Sequence, residues 1–126
     1  VGAKFETLQG APDTVVLVAE RDEAVVGWLS TTWHPERIKE YTTAGEADIR
    51  TLYVDPDEQG KGVGTALLEA ALERVPASVD RVVLETFRAN ERGRSFYKSR
   101  GFAVRATTEH EVGENSYPSV VLEREL

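Results

Sequence analysis

Read for its alternation of apolar and polar positions, the chain resolves into short strands and two helical stretches. Val15-Val16-Leu17-Val18-Ala19 is an apolar run of strand length, and Ala24-Val25-Val26-Gly27-Trp28-Leu29-Ser30 is a second. Charged Arg21-Asp22-Glu23 lies between them, so the pair predicts a β-hairpin. Ile49-Arg50-Thr51-Leu52-Tyr53-Val54, rich in β-branched and aromatic residues, predicts a strand that ends at Asp55-Pro56-Asp57. Leu67, Leu68, Ala71, Leu72 and Val75 then recur at helical spacing, and Pro76 closes the segment. Arg81-Val82-Val83-Leu84-Glu85-Thr86 predicts another strand. Residues 90–100 predict a second helix, with Phe96 and Tyr97 on its apolar side and Gly101 as its stop. Residues 102–106 and 119–123 predict two closing strands, separated by a polar loop over 107–117.

Weaker patterns fill the rest. Residues 1–9 fit either the tail of a helix or a short strand, and residues 10–13 a turn. Residues 34–46 are polar and irregular, with room for one helical turn over 36–41. No repeat, low-complexity tract or linker divides the chain. Its 126 residues therefore predict one domain over 1–126, whose core buries roughly two thirds of the unfolded surface.

The stretch that carries candidate chemistry is Gln59-Gly60-Lys61-Gly62-Val63-Gly64-Thr65, three glycines at every second position between a strand and a helix. Glycine lets backbone N–H groups turn inward and approach a ligand with no Cβ in the way. A helix that starts at the loop adds orphan N–H donors and a positive dipole end. Together these make a seat for a phosphate or pyrophosphate. The plain alternative is a glycine-rich connector. A nucleotide P-loop needs Gly-Lys followed by Ser or Thr, and here Gly60-Lys61 is followed by Gly62. A dinucleotide fingerprint needs a third glycine where Thr65 stands, directly off its strand.

Composition narrows the classes further. A net charge of −7 argues against a nucleic-acid footprint. With no cysteine there is no disulfide, thiolate nucleophile or cysteine-ligated metal. His34 and His110 are the only imidazoles and form no metal-spaced pair, so no metal is expected. No apolar run approaches the length of a membrane span and no signal peptide is visible, so the expected location is the cytoplasm.

The order of these elements and motifs resembles the GNAT N-acetyltransferase superfamily. Gln59-x-x-Gly62-x-Gly64 after a strand matches that family's acetyl-CoA signature, Gln/Arg-x-x-Gly-x-Gly/Ala. Further on, Leu84-Glu85-Thr86-Phe87-Arg88-Ala89-Asn90 leads to Phe96-Tyr97-x-x-x-Gly101-Phe102, similar to the family's second segment with its asparagine, tyrosine and Gly-Phe. The hairpin over 15–29 resembles the strands that precede the cofactor loop in such enzymes. The likeness covers nearly the whole chain from Thr14 onward.

The resemblance implies an α+β fold, a mixed and mostly antiparallel sheet splayed at its central strands and flanked by helices. Pantetheine would lie in the gap, pairing with backbone groups of Leu52, Tyr53 and Val54 as an added strand does. Backbone amides of Gly60, Lys61, Gly62, Val63, Gly64 and Thr65 would hold the pyrophosphate, and Lys61 could add charge or simply be solvated. Asn90 matches the family asparagine that contacts the cofactor arm, and it is equally a natural helix N-cap. Tyr97 matches the tyrosine that donates a proton to the coenzyme A sulfur, against the alternative of a half-buried core aromatic.

For the general base there are two candidates. Glu85 stands twelve positions before Tyr97 on an otherwise apolar strand, where relatives that acetylate protein N-termini carry a base. Asp48 opens the central strand, where histone-type relatives carry a catalytic glutamate. Glu85 among Val82, Val83 and Leu84 is expected to be partly desolvated, and Asp48 beside Glu46 better solvated. The implied activity is direct acetyl transfer from acetyl-CoA to a primary amine in a ternary complex. A non-catalytic acyl-CoA sensor on the same scaffold is the alternative. The implied acceptor is a small amine, a protein N-terminus or a lysine; a homodimer is left open, and neither nucleic acid nor membrane is implied. Full members carry a strand and two helices before the hairpin, and the dozen residues here are too few for them. Part of the usual N-terminal region is therefore expected to be missing or short.

Overall fold

The computed structural model describes residues 4–8, 13–33 and 45–126, the first of these as backbone alone. In chain order it forms strands β1 (Lys4–Leu8), β2 (Thr14–Arg21), β3 (Ala24–Trp33) and β4 (Glu46–Val54). A single 3-10 turn (Pro56–Glu58) leads to helix α1 (Val63–Arg74), then β5 (Arg81–Phe87) and helix α2 (Glu91–Lys98). Strands β6 (Ala103–Val112) and β7 (Asn115–Glu125) close the chain. All seven described strands join one sheet in the order β1-β2-β3-β4-β5-β7-β6.

Local chemistry accounts for these elements. The β2–β3 hairpin turns at Asp22 and Glu23, both with positive φ (52° and 67°), as a two-residue loop matching strand twist requires. Val15, Leu17 and Ala19 alternate into the core from β2. From α1, Val63, Leu67, Leu68 and Ala71 cover that same face at helical spacing, all nearly inaccessible. Val82, Val83 and Leu84 are buried in succession on β5, the pattern of a strand enclosed on both faces.

One pairing positions everything that follows. Among the described strands, only β4 and β5 run parallel, and they pair over just three rungs, Glu46↔Arg81, Ala47↔Val82 and Asp48↔Val83. Beyond them β4 runs on to Val54 and β5 to Phe87 without pairing with each other, so the sheet opens at its centre. The fold is the mixed, mostly antiparallel and splayed α+β sheet expected.

The polar loop expected over 107–117 is instead a continuation of β6 and β7, joined by a two-residue turn at Gly113-Glu114. Residues 111–118 are exposed throughout, so this ribbon has no dry face and no apolar alternation to betray it. Residues 4–8 are a strand paired antiparallel with β2, which decides between the two readings of that stretch. The central strand starts at Glu46 rather than Ile49, and α2 ends at Lys98. The helical turn considered over 36–41 and the turn residues 10–12 lie outside the described residues. Among the described residues, no helix is long and apolar enough to cross a membrane.

Candidate functional site

Where β4 and β5 part, a groove of about 850 Å³ opens. Leu52 and Val54 line it from one strand, Leu84, Glu85 and Thr86 from the other. The glycine loop and the first turn of α1 form one wall, and Asn90, Tyr97 and Arg100 another.

The backbone of β4 presents alternate edges. A Cβ added at Gly27 would stand 2.7 Å from the Tyr53 carbonyl oxygen, and Asp55 N–H donates to Val26 O at 2.8 Å. Tyr53 and Asp55 thus face β3, and by alternation the N–H and C=O groups of Leu52 and Val54 face the groove. Gln59 Nε2 donates to Val54 O at 3.3 Å from that side. Tyr53 does not line the groove; its ring stacks on Trp28 at 4.4 Å, on the sheet face away from α1.

The three glycines of the loop serve two purposes. Gly60 and Gly62 have φ of +82° and +86°, and a Cβ on either would meet nothing within 4 Å. Backbone conformation demands glycine there, and the space above is open to a ligand. Gly64 has ordinary φ, but its added Cβ would sit 3.3 Å from the Phe96 ring, so it admits α2 against α1. The first turn of α1 leaves the N–H groups of Val63, Gly64 and Thr65 without helical acceptors, and no acidic residue lies in it. Lys61 does not line the groove; its ammonium lies 3.4 Å from Glu58 with the side chain 57% exposed. Glu58, unremarkable in sequence, is nearly buried and lies 3.0 Å from Arg21, tying the loop to the β2–β3 hairpin.

On α2, Asn90 is the N-cap, its Oδ1 accepting from Gly93 N–H at 3.0 Å while Nδ2 donates to Thr86 Oγ1 at 3.1 Å. That side chain joins the end of β5 to the start of α2 and also lines the groove. Tyr97 is held edge-on between Phe96 and Phe102, with centroids 5.2 and 5.4 Å away. Burial pushes its hydroxyl up to about 12. Arg100, missed in sequence, lines the groove and donates from Nε to Thr65 Oγ1 at 2.8 Å. Its i,i+4 spacing from Phe96 was the one available signal, and the guanidinium does lie 3.9 Å over that ring.

The two candidate bases are placed differently, and their expected solvation is reversed. Asp48 is fully buried at the last β4–β5 rung and does not line the groove. Its neighbour Glu46 is 1% exposed, so the supposedly polar strand start is interior. Glu85 is half-buried, lines the groove, and accepts a hydrogen bond from Thr108 Oγ1 at 2.7 Å. Among the described residues, no group of three or more His, Asp or Glu side chains gathers as metal ligands would.

Residues 3–102 match the profile of a family described as acetyltransferase (GNAT). The mycothiol acetyltransferase of Propionibacterium freudenreichii is 35% identical over 98 residues, covering 75% of this chain and 30% of the relative. The peptidyl-lysine N-acetyltransferase YjaB of Salmonella typhimurium is 31% identical over 91 residues, covering 72% and 59%. The chain thus spans less than two thirds of either relative's length. The crystal structure of the PaiA N-acetyltransferase of Thermoplasma acidophilum, a complex with coenzyme A, resembles this fold with a TM-score of 0.67. That likeness covers 90% of this chain and 62% of the other at 23% identity, and is one of fold.

Proposed function

Since the chain belongs to the acetyltransferase (GNAT) family, we propose that residues 1–126 act as one acyl-CoA N-acyltransferase-like domain that moves an acetyl group from acetyl-CoA directly to a primary amine. The observation that carries this reading is the sheet that opens after Asp48↔Val83, with the positive-φ glycines Gly60 and Gly62 at the mouth of the gap. The described residues fit the co-substrate: an extended arm matches the free edge of β4, and an anion matches the loop with its unobstructed amides. Acetyl-CoA, when bound, supplies the activated thioester carbonyl.

Leu52 and Val54 offer the backbone edge that orients an extended chain along β4. Gly60, Gly62 and the N–H groups of Val63, Gly64 and Thr65 hold negative charge, and Gln59 braces the loop against Val54. Asn90 fixes the opposite wall by capping α2.

Tyr97 keeps its proton at Oη throughout the neutral range, because burial has raised its pKa to about 12. Burial favours the neutral hydroxyl over the phenolate, which disfavours outright loss of that proton to sulfur. The role that fits is a hydrogen bond to charge developing on sulfur. Glu85 lines the groove beside the open edge of β5, which supports it as the base that takes a proton from the incoming ammonium; Glu58, the other carboxylate of the lining, is held by Arg21 and Lys61. Asp48 is fully buried and does not line the groove, which favours Glu85 over it. The chain has no cysteine to carry an acyl group, which supports transfer without a cysteine-bound intermediate.

The two relatives differ in what their names say they acetylate, so the acceptor panel spans small amines, polyamines, a peptide N-terminus and a peptide lysine. Free coenzyme A is read with a thiol reagent and products by mass spectrometry. The expected result is amine-dependent release with one acetyl group gained by the product. Binding without release for every amine returns the sensor reading, and absence of binding removes both.

A further inference from the structure

We propose that Arg100 is a specificity-determining residue of this groove: it orders the start of α1 through Thr65 and selects a donor that carries phosphate. This rests on the acetyl-CoA reading above. Arg100 stands two residues beyond the end of α2, yet its guanidinium reaches the first turn of α1. Both Nε, at 2.8 Å, and Nη2 donate to Thr65 Oγ1. Nη1 donates to Phe96 O at 3.0 Å and to Ser99 Oγ at 2.6 Å. The close approach of Phe96 to Gly64 brings the ring under the guanidinium, which lies 3.9 Å above it.

Two physical points separate a phosphate selector from a simple helix tie. The first is the sign of the charge. A cation at the N-terminus of a helix opposes the helix dipole, and α1 has no acidic residue in its first turn to offset it; the C-terminal end of α2 offsets it in part, through Phe96 O. A tie to Thr65 would need only a neutral donor. Placing a guanidinium there, in a chain of net charge −7, suits an anion brought by the ligand. The second is the hydrogen count. Arginine carries five N–H donors, and the four bonds above leave one on Nη2 of a side chain that lines the groove. Thr65 is thereby held at the first turn of α1, and the guanidinium beside it lines the same groove.

The test compares coenzyme A with pantetheine, which keeps the arm and lacks every phosphate. Each is titrated calorimetrically into the wild-type protein, Arg100→Gln and Arg100→Lys, with melting curves run alongside. Arg100→Gln should weaken coenzyme A about tenfold or more and leave pantetheine within about twofold, the scale of one charge-assisted hydrogen bond. Arg100→Lys should recover part of the loss by restoring charge without the fork. In turnover, Arg100→Gln should raise KM for acetyl-CoA and leave kcat and the KM for S-acetylpantetheine nearly unchanged. Thr65→Val removes the anchor and keeps the charge, and should lie between wild type and Arg100→Gln for coenzyme A. Equal weakening of both ligands, or no weakening, overturns the role of Arg100 while the acetyl-CoA reading stands. A wild-type protein that binds neither ligand overturns both. If Arg100→Gln melts below the assay temperature, Arg100→Lys and Thr65→Val carry the same contrast between the two ligands.

Discussion

The two halves of the β4–β5 pair contrast sharply. At the closed end, Glu46 to Asp48 pair with Arg81 to Val83, and side-chain charges lock the rungs from outside. Glu46, 1% exposed, accepts from Arg81 Nη1 at 3.2 Å and from Arg105 Nη1 at 2.8 Å. Arg105 Nε donates to Glu123 at 2.8 Å, so one cluster joins β4, β5, β6 and β7. Those carboxylates push the Arg105 guanidinium still higher above its ordinary range. At the open end no rung pairs the two strands; backbone edges and helix-start amides line the groove together with Glu85 and Arg100. The same two strands thus separate cohesion from the groove. The closed end sets where the gap begins, and the open end leaves β4 backbone groups facing the groove.

The largest effect should come from breaking the closed end. Glu46→Ala would leave two guanidinium groups facing each other without their shared carboxylate. The loss of folding stability should be about 3 kcal/mol, near the lower range for a broken buried pair because Arg81 is partly exposed. Urea unfolding measures it. Coenzyme A affinity, determined well below the melting temperature, should be little changed. A variant of unchanged stability but much weaker binding would erase the division between the halves.

Next in size is the open end. Gly62→Asp puts a carboxylate at a left-handed position whose Cβ space is open, facing the proposed anion seat. Like charges at contact cost several kcal/mol, so coenzyme A affinity should fall about a hundredfold or more. Gly62→Ala isolates the backbone strain, about 1–2 kcal/mol for an L-residue in that region. A folded Gly62→Asp protein with wild-type affinity would move the phosphate seat elsewhere.

The contrast also explains what was legible beforehand. Helix α1 and the β2–β3 hairpin announce themselves because one face of each is dry, which imposes a period on the apolar residues. The glycine loop is legible because positive φ and close approach both demand glycine. The β6–β7 ribbon is not, since its outer half is wet on both sides. The burial of Glu46 was hidden for a different reason. Its partners Arg81 and Arg105 stand 35 and 59 residues away, beyond any local pattern. Arg100 and Thr65, also 35 residues apart, were invisible in the same way. Strand position suggested a solvated Asp48, whereas the interior location of the closed end decides it.

That revised burial sharpens the question of the base. Glu85→Gln should slow acetyl transfer by about ten- to a hundredfold, at or just below the usual range for a positioned base. Asp48→Asn should act mainly on stability, since it changes a buried group at the last rung and touches no groove surface. Turnover rates of both variants with one good acceptor test this. A crippled but fully stable Asp48→Asn enzyme would bring the closed end into the chemistry.

The smallest effect concerns Tyr97, where the two halves meet the aromatic wall of α2. Tyr97→Phe keeps the ring packed between Phe96 and Phe102 and removes only the hydroxyl. If that hydroxyl stabilises developing charge by a hydrogen bond, kcat should fall about tenfold with coenzyme A affinity kept. The same residue leaves a mark on alkaline stability. Its pKa rises from the usual 10 in the unfolded chain to about 12 in the folded one, through burial. The folded state therefore holds the proton more tightly. The associated stabilisation is complete below pH 10 and is lost as pH climbs from there toward about 12. Wild-type protein should lose stability across that window faster than Tyr97→Phe, while the two track each other near neutrality. Parallel curves through the alkaline range would mean a solvated hydroxyl. Unchanged kcat would leave Tyr97 as a packing residue of α2, and the open end would then bind its ligand without help from that wall.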